Sequence, residues 1–279
     1  MIGADFNVNP QRLTEVGENV VILANRDALK QAIGWKQAKK IKKLLVGPNL
    51  FVRPQEIESL ITSPAIDLIM EPSNWPIKAV IEDCPRLRNK LVSWPAGVNA
   101  EYWKPHTPLK NKQSTNVLIY QKNGSQDLLN SVITLLRKYQ WNPIVITYGN
   151  YNHEQFKKLL SEAQFAVFLS RSESQGLALA EAWAMDVPTL VWNLGGPLVI
   201  QGKIYTDASA CPYINPLVGQ EWKTLDIFKA QLGEIQTILS GCSPRAWVLK
   251  HMTDEVSALI VIQYLTNNYK SRMEIIDEN

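Results

Sequence analysis

Short apolar runs rich in β-branched residues alternate along the chain with stretches in which apolar positions recur at helical spacing. In the first part of the chain the predicted strands are NVVILA (19–24), KLLVG (43–47), AIDLIME (65–71) and KLVSWP (90–95). The stretch between the first two strands has the spacing of a helix, with apolar residues from Ala28 to Ile41. Strands that alternate with helices are typical of an α/β protein with parallel sheets.

The second part of the chain repeats this alternation strictly. Its predicted strands are 116–120, 143–149, 165–170 and 188–193, and the helices between them are 125–139, 153–163 and 176–185. Beyond these, 226–239 and 243–265 each predict one amphipathic helix. Four strands and three helices in this order predict a doubly wound, Rossmann-like unit.

A segment rich in Pro, Lys and small polar residues separates the two parts. We therefore predict two Rossmann-like domains, at 1–104 and 116–250, joined by a linker at 105–115. The segment 251–279 is predicted to be a C-terminal helix that crosses back to the first domain.

Composition narrows the class of protein. The chain has 279 residues, 46% hydrophobic and 20% charged, as expected for soluble domains with substantial cores. A net charge of +3 is too small to argue for nucleic acid. The three cysteines are widely spaced and lack metal-ligand spacing, and no apolar run is long enough to cross a bilayer, so a cytoplasmic protein with reduced thiols is expected.

Candidate binding residues follow three strands of the second domain. Lys122 lies after the first, Gly149 and Asn150 after the second, and Glu173 after the third. Ligands of open parallel sheets bind at the carboxyl ends of the strands, so these loops form a candidate anion site. Lys122 taken alone is typical of a solvated loop lysine.

The stretch ESQGLALAE (173–181) places one carboxylate before a predicted helix and another inside it. A helix that begins near Gly176 or Leu177 offers free N–H groups to a phosphate. Glu181 lies four residues farther on, about 6 Å along the axis, an offset similar to that between a diphosphate and its ribose. The alternative is ordinary packing, with Glu173 stabilised by the helix dipole and Glu181 solvated.

The segment FLSRSESQGLALAEAWAMDVPTLVW resembles the donor-binding segment of the GT-B retaining glycosyltransferases of the group 1 (glycosyltransferase family 4-like) type. WPAGVNAEYWKP is similar to the interdomain segment of that family, and EPSNW to the serine-bearing strand end before it. The resemblance extends from Ile66 to Asn193. It implies a GT-B fold with the ligand cleft between the domains, the first domain on the acceptor side and the second binding a nucleotide sugar.

Carried over by the resemblance, Glu173 is the catalytic-site acid at the donor sugar, Glu181 holds the ribose hydroxyls, and Lys122 neutralises the diphosphate. The other expected donor-binding residues are Gly149, Asn150, Ser174, Gln175, Gly176 and Leu177. The resemblance implies a hexosyltransferase that acts with retention, with no metal and no cofactor besides the nucleotide-diphosphate sugar. Its acceptor would be a glycan, lipid or small molecule, as in polysaccharide biosynthesis.

Two features depart from the family pattern. The first domain is short and contains no histidine, and Asp186 occupies a position where the family has a small residue. A non-catalytic nucleotide-sugar-binding or scaffold protein is therefore the alternative function, and a sugar-nucleotide epimerase a weaker one. No G-x-G-x-x-G follows a first strand, which disfavours a dinucleotide-dependent oxidoreductase.

The basic segment from Lys36 to Lys43 is predicted to lie on a helix, usually a solvated face. With Trp35 beside it, the same face is also suited to peripheral contact with anionic lipid at the inner membrane face.

Overall fold

The computed structural model describes residues 7–8, 16–106 and 113–266. The predicted linker 105–115 and C-terminal segment 251–279 therefore fall partly outside the described residues, at 107–112 and 267–279. The chain forms two compact units, one from the residues up to Pro95 together with those from Ser257 onward, the other from Ala96 to Val256. Both contain parallel sheets with helices packed on them, which confirms the predicted α/β class.

The first unit is built on a four-stranded parallel sheet in sequential order. Its strands are β1 (Asn19–Ile22), β2 (Lys43–Val46), β3 (Leu68–Glu71) and β4 (Leu91–Ser93). The connections carry the helices α1 (Arg26–Gln37), α2 (Glu58–Ile61) and α3 (Asn74–Asp83), with 3₁₀ turns at Pro54–Ile57 and Pro85–Lys90. Parallel crossovers are right-handed, so connections that all step in the same direction place their helices on one face of the sheet.

The opposite face of this sheet is covered by the C-terminal end of the described chain. The helix α10 (Asp254–Leu265) packs Val261 and Tyr264 against Leu45, Met70 and Val92. The alternate strand residues Leu44, Val46 and Ile69 belong to the core beneath the crossover helices. The sequential strand order thus leaves one face of the sheet without crossover helices, and α10, which is distant in sequence, covers that face.

The predicted basic helix over Lys36–Lys43 is wrong. Helix α1 ends at Gln37, Lys39 has a left-handed φ of 58°, and Lys43 already begins β2. The Lys36 ammonium lies 2.7 Å from the Asp67 carboxylate, and that of Lys43 donates to the Tyr264 carbonyl. These lysines therefore do not form one helical face, and membrane contact stays a prediction. Within the described ranges no helix has the length and apolarity to cross a bilayer.

The second unit contains a five-stranded parallel sheet in the order β11-β8-β7-β5-β6. Its strands are β5 (Asn116–Gln121), β6 (Asn142–Thr147), β7 (Phe165–Leu169), β8 (Thr189–Trp192) and β11 (Gly219–Trp222). The antiparallel hairpin β9 (Leu198–Ile200) and β10 (Lys203–Tyr205) is inserted after β8. The chain steps outward from β5 to β6 and then returns to the other side of β5 for β7, so the winding direction reverses between β5 and β7.

This reversal places helices on both faces of the second sheet. They are α4 (Gln126–Lys138), α5 (His153–Glu162), α6 (Leu177–Ala184), α7 (Leu225–Gly233), α8 (Ile235–Gly241) and α9 (Pro244–His251). One core joins α5, α6 and α9 to the sheet, and a second core joins α4, α7 and α8 to its other face. This doubly wound arrangement is the one that the alternation of strands and helices predicts.

Both long helices predicted after β8 are instead pairs of shorter ones. The stretch 226–239 divides at Gly233 and Glu234 into α7 and α8. The stretch 243–265 divides at Met252, where φ is −140°, into α9 and α10. The Thr253 hydroxyl accepts a hydrogen bond from the Val256 N–H and so caps a new helix. The apolar spacing continues across each break, which is why it does not reveal them.

Replacing Gly219 with alanine is expected to destabilise the fold by about 3 kcal/mol. Gly219 has a φ of +147°, and a Cβ there would meet the Thr189 carbonyl oxygen of the neighbouring strand at 1.9 Å. Urea unfolding measures the loss. The matched control is Gly233→Ala in α7, where a Cβ meets nothing within 4 Å and stability should change little or rise. Equal stability of the two variants would contradict this account of Gly219.

Candidate functional site

The loops after β5 and β7 meet at the point where the winding direction of the second sheet reverses. The backbone N–H groups of Lys122 and Asn123 both donate to the Leu169 carbonyl, at 3.1 and 3.4 Å. The Asn123 side chain in turn accepts from the Arg171 N–H at 2.6 Å. A reversal point opens a crevice at the carboxyl ends of parallel strands. These hydrogen bonds fix the two loops that border it.

Lys122 and Glu173, both predicted site residues, are in direct contact here. The Lys122 ammonium lies 3.0 Å from each oxygen of the Glu173 carboxylate. The Ser170 hydroxyl donates to Glu173 Oε1 at 2.8 Å, and the Glu173 N–H donates to the Ser209 carbonyl at 2.8 Å. The two side chains are 27% and 17% exposed, so a solvent-facing ligand can reach both. Hydrogen bonds to Ser170 and Ser209 thus fix Glu173, and the ion pair lies where the loops after β5 and β7 border the crevice.

The loop after β6 adds an aromatic ring to this group. The Lys122 ammonium lies 4.8 Å from the centroid of the Tyr148 ring, and the Tyr148 side chain is 57% exposed. Gly149 takes the left-handed conformation with φ of 83°. Asn150 does not, and its N–H closes a turn onto the Thr147 carbonyl at 3.0 Å. The structure therefore brings this loop beside Lys122, with Tyr148 as a contact that the sequence reasoning missed.

Helix α6 begins as the sequence predicts. Gly176 is its N-cap in the left-handed conformation, φ 74° and ψ 48°, with no side chain bonded to the helix N-terminus. The first N–H groups of a helix have no partner within it. In α6 the Leu179 N–H donates to the Gly176 carbonyl at 3.0 Å, and the N–H groups of Leu177 and Ala178 form no hydrogen bond with a described residue. Leu177 at its first position is 48% exposed. Any other residue at position 176 would have to adopt this left-handed conformation, which L side chains rarely do, and its Cβ would lie 3.2 Å from the Leu179 side chain.

Glu181 lies one turn into α6, among residues that are almost entirely buried. Leu179, Ala180, Ala182 and Trp183 are each at most 2% exposed. This burial raises the pKa of Glu181 to about 7. The solvated-surface alternative for Glu181 therefore does not hold. A partly dehydrated carboxylate gains more from hydrogen-bond donors than a solvated one does.

One tyrosine links the two acidic residues of the 173–181 stretch. Burial raises the pKa of Tyr151, and the negative charges of Glu181 and Glu173 raise it further. The Tyr151 hydroxyl also donates to that of Tyr120 at 3.3 Å, and the Tyr120 ring stacks on Phe168. The charges of both carboxylates thus act on one side chain.

The two remaining predicted residues differ in orientation. Ser174 is exposed. The Gln175 side-chain oxygen accepts a hydrogen bond from the Ala96 N–H at 3.0 Å, so this oxygen is already bonded to the backbone. Ser170 and Ser209 were missed by the sequence reasoning. Ser170 could have been found, since it follows a buried strand directly, whereas Ser209 comes from the segment after the inserted hairpin and gives no local indication.

Three capping and turn residues lie near the crevice. The Ser125 hydroxyl accepts from the Leu128 N–H at 3.1 Å and caps α4 after the Lys122 loop. His153 is the first residue of α5, as expected for a helix-start residue. Asp186 has a left-handed φ of 58° after α6 and accepts from the Arg245 N–H at 3.2 Å. These residues set where the helices begin and end around the crevice.

The site combines three chemical properties. A lysine ammonium and a free helix N-terminus can stabilise phosphate charge. Two carboxylates can accept hydrogen bonds from hydroxyl groups, and an exposed aromatic ring lies beside the lysine. Among the described residues, no group of three or more His, Cys, Asp or Glu side chains has an arrangement that could hold a metal ion.

Comparison with known proteins relates this geometry to a family. Residues 108–206 match the family described as Glycosyl transferases group 1. A comparison with curated proteins finds no match. The structure resembles a glycosyltransferase from Rickettsia africae ESF-5, with a TM-score of 0.60, 14% identity, and coverage of 90% of this chain and 78% of that one.

Two further solved structures show the same likeness. The lipopolysaccharide outer core galactosyltransferase WaaB in its apo form gives a TM-score of 0.55 at 10% identity, covering 89% of this chain and 75% of that one. The catalytic domain of starch synthase IV from Arabidopsis thaliana, bound to ADP and acarbose, gives 0.57 at 10% identity, covering 90% and 72%.

Identities this low show the fold, which is the GT-B architecture with two Rossmann-like domains. The family match is independent of the fold comparison and contains Lys122, Glu173 and Glu181. Both findings confirm the resemblance recognised in the sequence. The chain thus has the GT-B fold, and its residues 108–206 match the family Glycosyl transferases group 1.

Proposed function

We propose that this protein transfers a hexosyl group from a nucleoside diphosphate sugar to a hydroxyl group of an acceptor, with retention and without a metal ion. The observation that carries the proposal is the meeting of Lys122, Glu173 and the N-terminus of α6 at the reversal point of the second sheet. The ADP in the starch synthase structure of the same fold supports a nucleoside diphosphate as the ligand class.

The diphosphate would bind between Lys122 and the first N–H groups of α6. Cleavage of the glycosyl–phosphate bond leaves negative charge on the departing diphosphate, and groups already aimed at that position stabilise the transition state. Lys122 is bonded to Glu173 in the ligand-free structure. Donor binding would therefore exchange this carboxylate for phosphate oxygens at the lysine.

Each acid would then bind a different part of the donor. Glu181, inside α6, would accept hydrogen bonds from the two ribose hydroxyls. Glu173, released from Lys122 but still bonded to the Ser170 hydroxyl, would orient the sugar and stabilise positive charge that develops on it. The leaving phosphate would accept the proton of the acceptor, so Glu173 needs no nucleophilic role.

The donor assignment is tested by a thermal-shift screen with UDP, GDP, ADP and TDP and their sugars. At about 100 times Kd, a ligand specific for the folded state adds about 2.7 kcal/mol of stability, which should raise Tm by about 5 °C or more. The screen is best run at pH 8, because the pKa of Glu181 is raised to about 7 and the carboxylate form then predominates. Glu181→Ala should abolish the shift.

Two outcomes of this screen separate the candidate functions. A shift with one nucleotide series, followed by transfer from that donor, supports the enzyme. A shift without hydrolysis or transfer to any acceptor in a broad panel would favour the non-catalytic nucleotide-sugar-binding protein. Absence of any shift would refute the proposed donor site.

Removal of divalent metal with EDTA is expected to leave the transfer rate unchanged, within about twofold. Lys122 and the α6 N–H groups supply the positive charge that a metal ion would otherwise provide at the diphosphate. The measurement compares initial rates with and without EDTA. Loss of activity that returns with magnesium would contradict the metal-free mechanism.

A further inference from the structure

Glu71 lies at the carboxyl end of β3 in the first unit, next to Ser93 of β4. The two residues are paired in the register of these parallel strands. Side chains alternate between faces of a strand, so Glu71 shares a face with Ile69, and Ser93 with Leu91. Ile69 and Leu91 belong to the core beneath the crossover helices. Glu71 and Ser93 therefore project on the same face of the sheet, at the edge where α3 begins.

Glu71 differs from the other described acidic residues of this unit because its carboxyl group has no hydrogen-bond or ion-pair partner among the described residues. The others each interact with another group. They are Glu18, Asp27, Glu56, Glu58, Asp67, Glu82 and Asp83. The other described acids of this unit are thus paired, including Asp83, whose side chain is 1% exposed, whereas Glu71 at the sheet edge is not.

The neighbouring hydroxyl is unsatisfied as well. The Ser93 Oγ atom is buried and forms no hydrogen bond. Buried polar groups are normally bonded, and one left unpaired costs about 1–3 kcal/mol. An unbonded buried hydroxyl next to a half-buried carboxyl group that has no protein partner among the described residues is difficult to explain by packing, since apolar residues there would stabilise the sheet better.

The environment of Glu71 strengthens this point. Burial raises the pKa of Glu71 to about 8, and no nearby cation offsets it. The unfolded chain has the ordinary, lower pKa, so the folded state binds the proton more tightly and loses stability as pH rises from about 4.5 to about 8. At neutral pH the buried carboxyl group thus lowers the free energy of unfolding. Costs of this kind concentrate at functional sites.

We propose that Glu71 is the acceptor-binding residue of the first unit and takes up a hydroxyl group of a hexose ring. The inference rests on the proposed function, in which every donor-binding group lies in the second unit and the second substrate still requires a site. A hydroxyl group suits Glu71 because it donates to the carboxylate and accepts from the protonated acid. Ser93 supplies a second hydroxyl at the same edge, which can bond to the carboxyl group or to the sugar after a change of rotamer.

Nuclear magnetic resonance tests the site directly. Protein labelled with ¹³C at the glutamate carboxyl carbons is titrated with the methyl α-glycosides of glucose, mannose and galactose, and Glu71→Gln identifies the Glu71 resonance. At least one glycoside should shift that resonance saturably. Glu58→Gln is the matched control, because Glu58 is an exposed acid of the same unit paired with Arg86, and its loss should leave the shift unchanged. No shift of the Glu71 resonance with any glycoside would overturn the proposal.

Kinetics provide the second readout. With the donor found by thermal shift, Glu71→Gln should raise KM for the glycoside at least tenfold and leave the Tm shift by the nucleoside diphosphate intact. An unchanged KM for the glycoside would contradict the role of Glu71 while leaving the proposed function in place. Absence of nucleoside diphosphate binding in the wild type would instead refute the proposed function, and the resonance titration would still decide on the Glu71 site.

Discussion

Lys122→Met should lower the rate of sugar transfer about 100- to 1,000-fold, the typical effect of removing one donor that stabilises transition-state charge. Its ammonium group lies at the reversal point of the second sheet, beside Glu173 and Tyr148. Methionine keeps most of the length and apolar surface of the lysine stem but cannot neutralise a phosphate. The measurement is kcat/KM for the donor, with the nucleoside diphosphate Kd measured in parallel.

The matched control for this variant is Lys157→Met. Lys157 lies on α5 in the same unit, and its ammonium nitrogen lies 4.5 Å from the centroid of the Tyr102 ring. This contact involves none of the proposed donor-binding residues. Its replacement should change kcat/KM by less than about twofold, because a partly exposed cation–π contact contributes only about 0.5–1 kcal/mol and acts on stability. Similar losses in both variants would show that general positive charge, rather than Lys122, supports the reaction.

Glu173→Gln is expected to strengthen nucleoside diphosphate binding by about three- to tenfold and to lower transfer about 100-fold. In the wild type the Glu173 carboxylate competes with the phosphates for Lys122, and a partly buried pair of this kind is worth about 1 kcal/mol. Removing the charge frees the lysine for the diphosphate. The same change removes the negative charge that would stabilise the sugar as positive charge develops on it. Calorimetric titration with the nucleoside diphosphate and initial transfer rates measure the two effects.

Glu181→Gln should have the opposite effect on affinity. An amide replaces a carboxylate that would accept two ribose hydroxyl groups, so the Kd for the nucleoside diphosphate should rise about tenfold or more. The Kd for the nucleoside diphosphate should thus fall in Glu173→Gln and rise in Glu181→Gln, although both changes remove one negative charge. This difference separates the roles of the two acids. Equal losses of affinity in the two variants would refute the division of roles between Glu173 and Glu181.

The exchange of Glu173 for phosphate gives the ligand-free site a defined resting state. Lys122, whose side chain is partly buried, already has a counter-charge, and the crevice does not leave an isolated ammonium group without a partner. In the proposed mechanism the bond between Ser170 and Glu173 Oε1 would persist when the lysine moves away, so the carboxylate would keep its position. Donor binding and placement of Glu173 at the sugar would then be coupled through one ion pair.

Much of the second unit could be predicted from the sequence because local pattern and tertiary environment agree there. The predicted strands 116–120 and 165–170 contain the continuous apolar runs 117–120 and 165–169, and they become β5 and β7, the strands buried on both faces. Gly176 predicts the start of α6 because a left-handed residue is needed there, and the structure has φ of 74°. Lys122 and Glu173 could be assigned to one edge of the sheet because parallel strands bring their carboxyl ends together.

The errors occur where apolar spacing does not determine the backbone. Lysines that follow α1 have helical spacing, but Lys39 adopts a left-handed conformation and the chain turns into β2. The predicted helix over 243–265 breaks at Met252, where Thr253 caps a second helix. Side-chain capping and backbone reversal are set by one or two residues, so a periodic pattern can run through them unchanged.

The sequence by itself determined the α/β class, the strands that carry the candidate site, and the residue types proposed to bind a phosphorylated donor, because these depend on local periodicity and on the chemistry of single side chains. Only the tertiary structure decided that Lys122 is bonded to Glu173 and that burial in α6 raises the pKa of Glu181. It also decided that the side chains of Glu71 and Ser93 lie at paired positions with no hydrogen-bond partner among the described residues. Such relations depend on strand register and on packing between segments far apart in the chain. Contacts at that separation are fixed by the complete fold, and no local pattern of residues encodes them.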